Sequence, residues 1–450
     1  MNAPLTAVRS ITIRLVVFLV MAVLVLGIIG PTVKRILGAD ALPKAMDELL
    51  YLPAIFTPPV PPPAKLSVDF GSLIALPEVA EQALPVAAAM GAQWSRTELP
   101  WLRIETSPGV YDWEAYDRAI TRTVQSGMKV LALIHSSPAW AAVEGCGPIS
   151  DTVALTNFLT TTITRYGDVV DAWEFMNEPD GLAPRPAYGP TIGCWAPYPA
   201  QYAQQLQLFY TTVKTLDPTA LVMFGSLAYD SWPYFDREFL ANALAAGAGP
   251  YFDVIGVHFY PIHPEDFPTM AHKIREIRAI LDKQRVWNKH IWVTETSMWT
   301  NAGASLEDQR TYIVREQTRG LCSGADNLFW FAVHQEGANP PLHRWLINLA
   351  HQADQGYSTY QYYAGQVTGM TCQGRMANLP ADIEAYTFDG SGKKRLHILW
   401  SNAAPTVVAL PAATTAIVRN REGGDPQTIS AQNGQVSVAV GTTPIYVVID

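Results

Sequence analysis

From about Lys65 onward, short apolar runs alternate with longer stretches in which apolar positions recur every three to four residues. The runs predict strands at 66–70, 93–96, 130–135, 169–176, 221–225, 254–259, 291–294 and 328–333. The longer period predicts helices at 111–127, 150–166, 199–216, 237–246, 267–284 and 306–321, with Ser150 and Asp151 available as N-caps of the second. Strand and helix in strict alternation imply right-handed parallel crossovers. Eight such units fit a (β/α)8 TIM barrel over residues 65–371. The alternative, a doubly wound open sheet, would carry a Gly-rich phosphate turn after its first strand, and VDFGSL at 68–73 has none.

The pattern changes at both ends. After Cys372 the period becomes two, with turn signals at 389–394 (DGSGKK), 421–426 (REGGDP) and 432–435 (QNGQ). Strands at 395–400, 406–410, 415–419, 436–440 and 445–449 predict a small antiparallel β-sandwich over 372–450. Its tryptophan, Trp400, is expected to pack against the barrel, with glycan binding as the other reading. At the other end, residues 15–30 carry no charge, and Ile11–Ile13 extend the run if Arg14 snorkels. An N-terminal transmembrane helix within a membrane anchor (1–35) is expected. Arg9 and Arg14 before it favour a cytoplasmic N-terminus, which places the rest of the chain outside the cytoplasm. A cleaved signal peptide competes with this, but Lys34 and Arg35 follow the apolar run closely. A proline-rich linker (36–64) follows, with six prolines in PAIFTPPVPPP at 53–63, a stiff extended spacer.

Composition narrows the function. Of 450 residues, 49% are hydrophobic and 16% charged, so the chain buries a large core. A net charge of −9 argues against a nucleic-acid partner, which needs a basic face to displace counterions. His258 and His263 raise the question of a metal, yet no HxH or HExxH pattern occurs, so no metal or cofactor is expected. Cys146 and Cys194 fall in loops after the third and fourth strands and would staple them; Cys322 and Cys372 would join the last helices. Free buried cysteines are the alternative.

In a (β/α)8 barrel the chemistry sits at the C-terminal ends of the strands. Polar residues there are Arg96 and Glu98 on strand two, His135 on strand three, Asn177 and Glu178 on strand four, His258 and Tyr260 on strand six, and Glu295 on strand seven. His334 and Glu336 follow strand eight. Two carboxylates from different strands are what glycosidic cleavage needs, one to protonate the leaving oxygen and one to attack the sugar or activate water. Arg96 would keep Glu295 ionised. Trp140, Trp195, Trp232, Trp299 and Trp330 lie at or beyond strand ends, where flat faces suit sugar rings.

At these residues the sequence resembles clan A glycoside hydrolases, the retaining (β/α)8 families, over roughly residues 65–370. WEFMNEPD at 173–180 is similar to the strand-four signature, which implies Glu178 as acid/base and Asn177 as partner of the sugar 2-hydroxyl. VTETSMW at 293–299 is similar to the strand-seven signature, which implies Glu295 as nucleophile. VHFYP at 257–261 matches the strand-six pattern, in which His258 and Tyr260 border the nucleophile. Trp330 corresponds to the tryptophan that floors the sugar subsite, and Arg96 to the strand-two arginine. Barrel, sandwich and anchor together resemble family 39. The resemblance implies a retaining hydrolase of a polysaccharide or oligosaccharide, with Arg96, His135, Asn177, His258, Tyr260, Trp299 and Trp330 as substrate contacts. The same motifs serve a transglycosylase, and a non-catalytic glycan-binding or scaffold protein on a glycosidase barrel is the alternative of another class.

Structural readings stand beside these. Glu174 shares the parity of Glu178 and is expected as a buried partner, unless a bulge breaks the alternation. Arg96 also reads as an ion-pair strut. His135 and His334 read equally as satisfied structural histidines, and Glu336 as a solvated loop charge. Trp173 and Trp292, inside strands, read as packing.

Overall fold

The computed structural model describes residues 63–449 apart from 143–144, 183–192, 231–233, 262–265, 301–302, 339–342, 391 and 393. The expected anchor and nearly all of the linker lie outside the described residues, as do Trp232 and His263. Among the described residues no helix is long and apolar enough to cross a membrane.

Eight strands close into a parallel barrel: β1 (Lys65–Asp69), β2 (Trp94–Pro100), β3 (Lys129–His135), β4 (Ala172–Asn177), β5 (Leu221–Leu227), β6 (Val254–Phe259), β7 (His290–Thr296) and β8 (Ala325–Phe331). Each pairs with its neighbours in sequence, and β1 closes on β8 with Lys65 opposite Asn327. A helix follows each strand: α1 (Leu84–Ala89), α2 (Glu114–Gln125), α3 (Thr152–Tyr166), α4 (Pro199–Leu216), α5 (Phe239–Ala245), α6 (Met270–Lys283), α7 (Leu306–Leu321) and α8 (Tyr357–Val367). Asp151 caps α3 by accepting from Ala154 N. Ser305 and Asp308 form a capping box on α7.

The interior is divided by height. Trp94, Leu131, Ala172, Met223, Val254, Trp292 and Phe329 form an apolar plug at the N-terminal end, with Trp94 edge-on to Trp292 at 5.0 Å. Trp173 points outward into the helix layer, so both strand tryptophans pack as expected. Above the plug the inward positions turn polar: Arg96, Glu174, Ser226 and Thr294 are all buried. A barrel interior filled this way is a core below and a site above.

The C-terminal strands are β9 (Thr371–Arg375), β10 (Ile383–Asp389), β11 (Arg395–Ser401), β12 (Thr406–Pro411), β13 (Thr415–Arg419), β14 (Gln427–Ser430), β15 (Gln435–Val440) and β16 (Ile445–Ile449). Six make one antiparallel sheet, in the order β9-β10-β11-β16-β13-β14, and β12 pairs with β15. The central strands of this sheet are buried on both faces. Ile383, Ala385, Leu399 and Val447 face the β12–β15 ribbon. Their alternates Tyr386, Phe388, Leu396, Ile398, Trp400 and Tyr446 belong to the barrel's core. Trp400 is fully buried, stacked on Tyr386 and overlain by Arg315 and Arg319 of α7, so it packs on the barrel as expected. Glu384 pairs with Arg319 across the same seam.

Both cysteine pairs are disulfide-bonded. Cys146–Cys194 joins the loops after β3 and β4 at the mouth. Cys322–Cys372 joins the end of α7 to β9, rather than joining helices to one another.

Candidate active site

Arg96 organises the polar layer. Its guanidinium donates from Nε (2.7 Å) and Nη2 (2.9 Å) to Glu174, from Nη1 to Asp69 (2.9 Å) and Glu295 (2.8 Å), and from Nη2 to Asn177 Oδ1 (2.8 Å). It is 1% exposed. Arg96 is thus both strut and site residue. Glu174 is the buried partner expected, and it also accepts from Ser226 N (3.0 Å) and Oγ (2.5 Å).

Glu174 and Asn177 lie three apart on β4, yet both reach Arg96, which alternation alone forbids. Met176 supplies the break, with φ +68. The turned backbone crowds Gly225 on β5: a Cβ there would lie 2.3 Å from Met176 O, so the neighbouring strand needs glycine. Glu178 follows with φ +43, held by its N–H to Ser226 O (2.8 Å). Strained backbone at the end of β4 is what turns Asn177 and Glu178 into the mouth.

Glu295, near the end of β7, meets Arg96 and also accepts from the Tyr260 hydroxyl (2.6 Å). His258 lies between the two strand-end glutamates, with Nδ1 3.0 Å from Glu178 Oε1 and Nε2 3.4 Å from Glu295 Oε1. Burial alone would push the Glu295 carboxyl up. His258, Arg96 and the Tyr260 hydroxyl outweigh it and hold Glu295 below its ordinary range. Burial likewise disfavours the His258 cation, but Glu295 and Glu178 raise it. On the β1–β2 side burial dominates: it lifts Asp69 to about 6 despite Arg96, and Glu98, with Asp69 adding to it, to about 8. One guanidinium does not offset burial at every carboxyl around it.

Arg96, Asn177, Glu178, His258, Tyr260 and Glu295 therefore converge on one mouth. Trp299 joins them, half-buried with its ring 5.6 Å from Tyr260. His135 stands at the end of β3, 2% exposed, with Nδ1 on Ser136 Oγ (2.8 Å). Trp330 departs from expectation. Its ring points outward between Tyr312 and Tyr360, fully buried, with Nε1 donating to Arg344 O (2.7 Å), so it offers no face to a sugar. Strand parity is the reason: Phe329 faces the plug, so Trp330 faces the helices and Phe331 faces the mouth. Arg344 lies over the Phe331 ring at 4.4 Å and pairs with Glu336 through Nη2. Trp195 packs on Phe175 and Tyr202 in the core. Trp140 is exposed beside Trp101. His334 pairs with His351, Nε2 to Nδ1 at 3.0 Å.

Sequence reasoning missed Asp69, Phe331 and Arg344. Asp69 ends β1, so the rule of inspecting strand ends would have found it. Arg344 comes from a long loop and carries no local signal.

Residues 159–341 match the family model of the glycosyl hydrolase catalytic core. The match agrees with the expected resemblance to glycoside hydrolases. A curated relative, the putative mannan endo-1,4-beta-mannosidase 5 of Oryza sativa subsp. japonica, is 28% identical over 254 residues, 47% of this chain and 49% of that protein. The chain therefore spans about half the length of this relative. A family 39 glycoside hydrolase from Bacteroides cellulosilyticus WH2 superposes with a TM-score of 0.68 at 18% identity, covering 86% of this chain and 81% of that one. A family 30 subfamily 8 xylanase from Clostridium acetobutylicum gives 0.60 at 15%, covering 87% and 97%. At these identities the superpositions carry the fold. The family match and the rice relative support a glycoside hydrolase.

Proposed function

We propose that the protein is a retaining O-glycoside hydrolase that cleaves a polysaccharide or oligosaccharide through a glycosyl-enzyme intermediate. Glu178 protonates the glycosidic oxygen while Glu295 attacks the anomeric carbon and the leaving sugar departs. Glu178, now a carboxylate, takes a proton from water as that water displaces Glu295, and the sugar leaves with its configuration retained. One observation carries this reading: the carboxylates at the ends of β4 and β7 meet the two nitrogens of a single imidazole, His258. Arg96 and Tyr260 keep Glu295 ionised and fixed, as a nucleophile needs. Asn177, anchored by Arg96, takes the sugar 2-hydroxyl, and Trp299 offers a ring face.

The rice relative, a putative mannan endo-1,4-beta-mannosidase, makes β-1,4-mannan the first polymer to try, followed by xylan, bacterial polysaccharides and aryl glycosides. Wild type is expected to release reducing ends from one of them, with Glu295→Gln slower by roughly 10³-fold or more. Proton NMR of the first anomer released is expected to show retention. An inverted anomer, or equal rates for the two proteins, would refute the assignment.

We also propose that the domain works outside the cytoplasm, tethered by residues 1–35 through the proline-rich segment, or secreted if that segment is cleaved. The apolar run and two disulfides support this, since disulfides persist in oxidising compartments. Recovery of the protein in the soluble cytoplasmic fraction with reduced thiols would overturn it.

A further inference from the structure

The buried stripe of α6 runs through Met270, Ala271, Ile274, Ile277 and Leu281, and it includes one charge, Lys273. Lys273 is 1% exposed. Its ammonium donates to Ala228 O (2.6 Å), to His258 O (2.9 Å) and to Asp230 Oδ1 (2.7 Å). Two of the three acceptors are backbone carbonyls, one just past β5 and one on β6. Burying an ammonium costs solvation, and an apolar residue of similar volume is often as stable, so the charge points to a role beyond packing.

The strand ladders show where that role lies. β5 and β6 pair at Phe224 and Ile255, but the register shifts before Leu227 meets Val257. β6 and β7 shift between Val257 and His258. His258 thus stands at irregular ladders on both sides, and Lys273 ties its carbonyl to Ala228. Ala228 is gripped from its other side by Asp180, fully buried, which accepts from Ala228 N (3.1 Å) and Tyr229 N (2.7 Å). Tyr229 has φ +49, a conformation that persists in a tyrosine only when its surroundings fix it. Asp180 lies two residues beyond Glu178 in one turn, closed by Gly181 N donating to Glu178 O (3.1 Å). The contacts form a ring: the Glu178 turn, Asp180, Ala228, Lys273 and His258, whose Nδ1 returns to Glu178 Oε1 at 3.0 Å.

The two glutamates depend on His258 unequally. Glu295 is held by Arg96 and Tyr260. Among the described residues, the Glu178 carboxyl has His258 as its one hydrogen-bond partner. We propose that Lys273 and Asp180 are positioning residues for proton transfer: they fix His258 and the Glu178 turn against each other, and so aim the Glu178 carboxyl at the glycosidic oxygen. Neither touches the sugar. This deepens the glycosidase reading and rests on it.

Leaving groups separate aim from stability, because a poor one must be protonated as it departs and a good one need not be. On the full chain, kcat/KM is measured with phenyl and 2,4-dinitrophenyl β-D-mannosides, β-D-xylosides and β-D-glucosides. Lys273→Met would leave Asp230 unpaired, so it is combined with Asp230→Asn and compared with Asp230→Asn alone. The double variant is expected to lose roughly 10²-fold on the phenyl glycoside, the scale of a misplaced catalytic group, and to stay within about three-fold on the dinitrophenyl one. Equal losses on both, or none, would overturn the proposal. Histidine-selective 15N labelling supplies a readout without hydrolysis. The His258 imidazole signal, identified by its loss in His258→Gln, is expected to move when Glu178→Gln is made in wild type and to stay in place when it is made in the double variant. Movement in both backgrounds, or in neither, would also overturn it. If the double variant does not fold, as near-ultraviolet circular dichroism will show, Asp180→Asn is read in both assays instead. It removes one of two acceptors, so a split of about 10-fold is expected, and a split under about three-fold counts against the ring. A His258 signal that depends on Lys273 in a wild type that cleaves no glycoside or polymer sinks the glycosidase reading alone. Hydrolysis with a signal indifferent to Lys273 sinks the positioning role alone.

Discussion

Arg96→Lys tests whether the fork of the guanidinium, beyond its charge, holds the site together. Arginine makes five hydrogen bonds here, to Glu174, Asp69, Glu295 and Asn177. An ammonium has three protons, so at least two bonds are lost. Hydrogen bonds to charged groups contribute about 1.5–3 kcal/mol each, which gives a gross loss of about 3–6 kcal/mol. The carboxylates are not orphaned, however. Glu174 retains Ser226, Glu295 retains Tyr260, and Asp69 retains the N–H of Gly71 (2.6 Å). The lower end, about 3 kcal/mol, is therefore expected. Urea unfolding followed by tryptophan fluorescence measures it as a lower midpoint at unchanged slope. Arg96→Met, which strips the cation from three buried carboxylates, should cost more, on the order of 3–5 kcal/mol or failure to fold. A lysine variant within about 1 kcal/mol of wild type would refute the reasoning, because the fork would then contribute almost nothing.

Three further outcomes follow from the same geometry. Glu98 is raised from the carboxylate range to about 8 in the fold, so between those values the folded state binds more protons and stability falls as pH rises. Urea midpoints of wild type and Glu98→Gln should diverge by on the order of a few kcal/mol from pH 5 to 8, and parallel curves would contradict the assignment. Trp330→Ala should destabilise by about 3–5 kcal/mol, whereas Trp299→Ala should leave the melting temperature nearly unchanged and raise KM; the reverse pattern would restore Trp330 to the sugar. Replacing Cys146 and Cys194 by serine should cost about 2–4 kcal/mol and weaken substrate binding, since it frees two loops at the mouth. An unchanged KM would show those loops to be held otherwise.

The barrel was legible because parallel strands, covered on both faces, read as unbroken apolar runs. Two helices escaped for a physical reason. In α8, YSTYQYYAGQV, the buried positions include Tyr360 and Tyr363, whose hydroxyls find Ser67 O and Thr318, so the buried stripe looks polar in sequence. In α1, LPVAAA, alanines leave too little contrast between faces. The strands β9, β10 and β14 were missed because turn signals were sparse before 389 and β14 (QTIS) carries little apolar weight. At the site, strand ends located the glutamates, Arg96, His258 and Tyr260. Parity decided the rest: Asn177 was expected at the mouth with a break in alternation allowed on β4, whereas on β8 the sequence reading failed. One left-handed residue, Met176, brought Asn177 inside, and a one-residue offset on β8 exchanged Trp330 for Phe331.

The C-terminal sheet, lying between barrel and ribbon, bears on how this chain can be cut and recombined. Swapping such a region between proteins presumes a surface that both halves tolerate exposing. Here the seam is aromatic on one side (Tyr386, Trp400, Tyr446) and carries the guanidinium groups of α7 on the other. A chain ended after α8 would expose apolar surface where it now meets protein, and would strand Cys322 without Cys372. The barrel and its appendage are thus one transferable piece: a chimera that borrows either half must borrow the facing surface too, or it will associate through what it leaves bare.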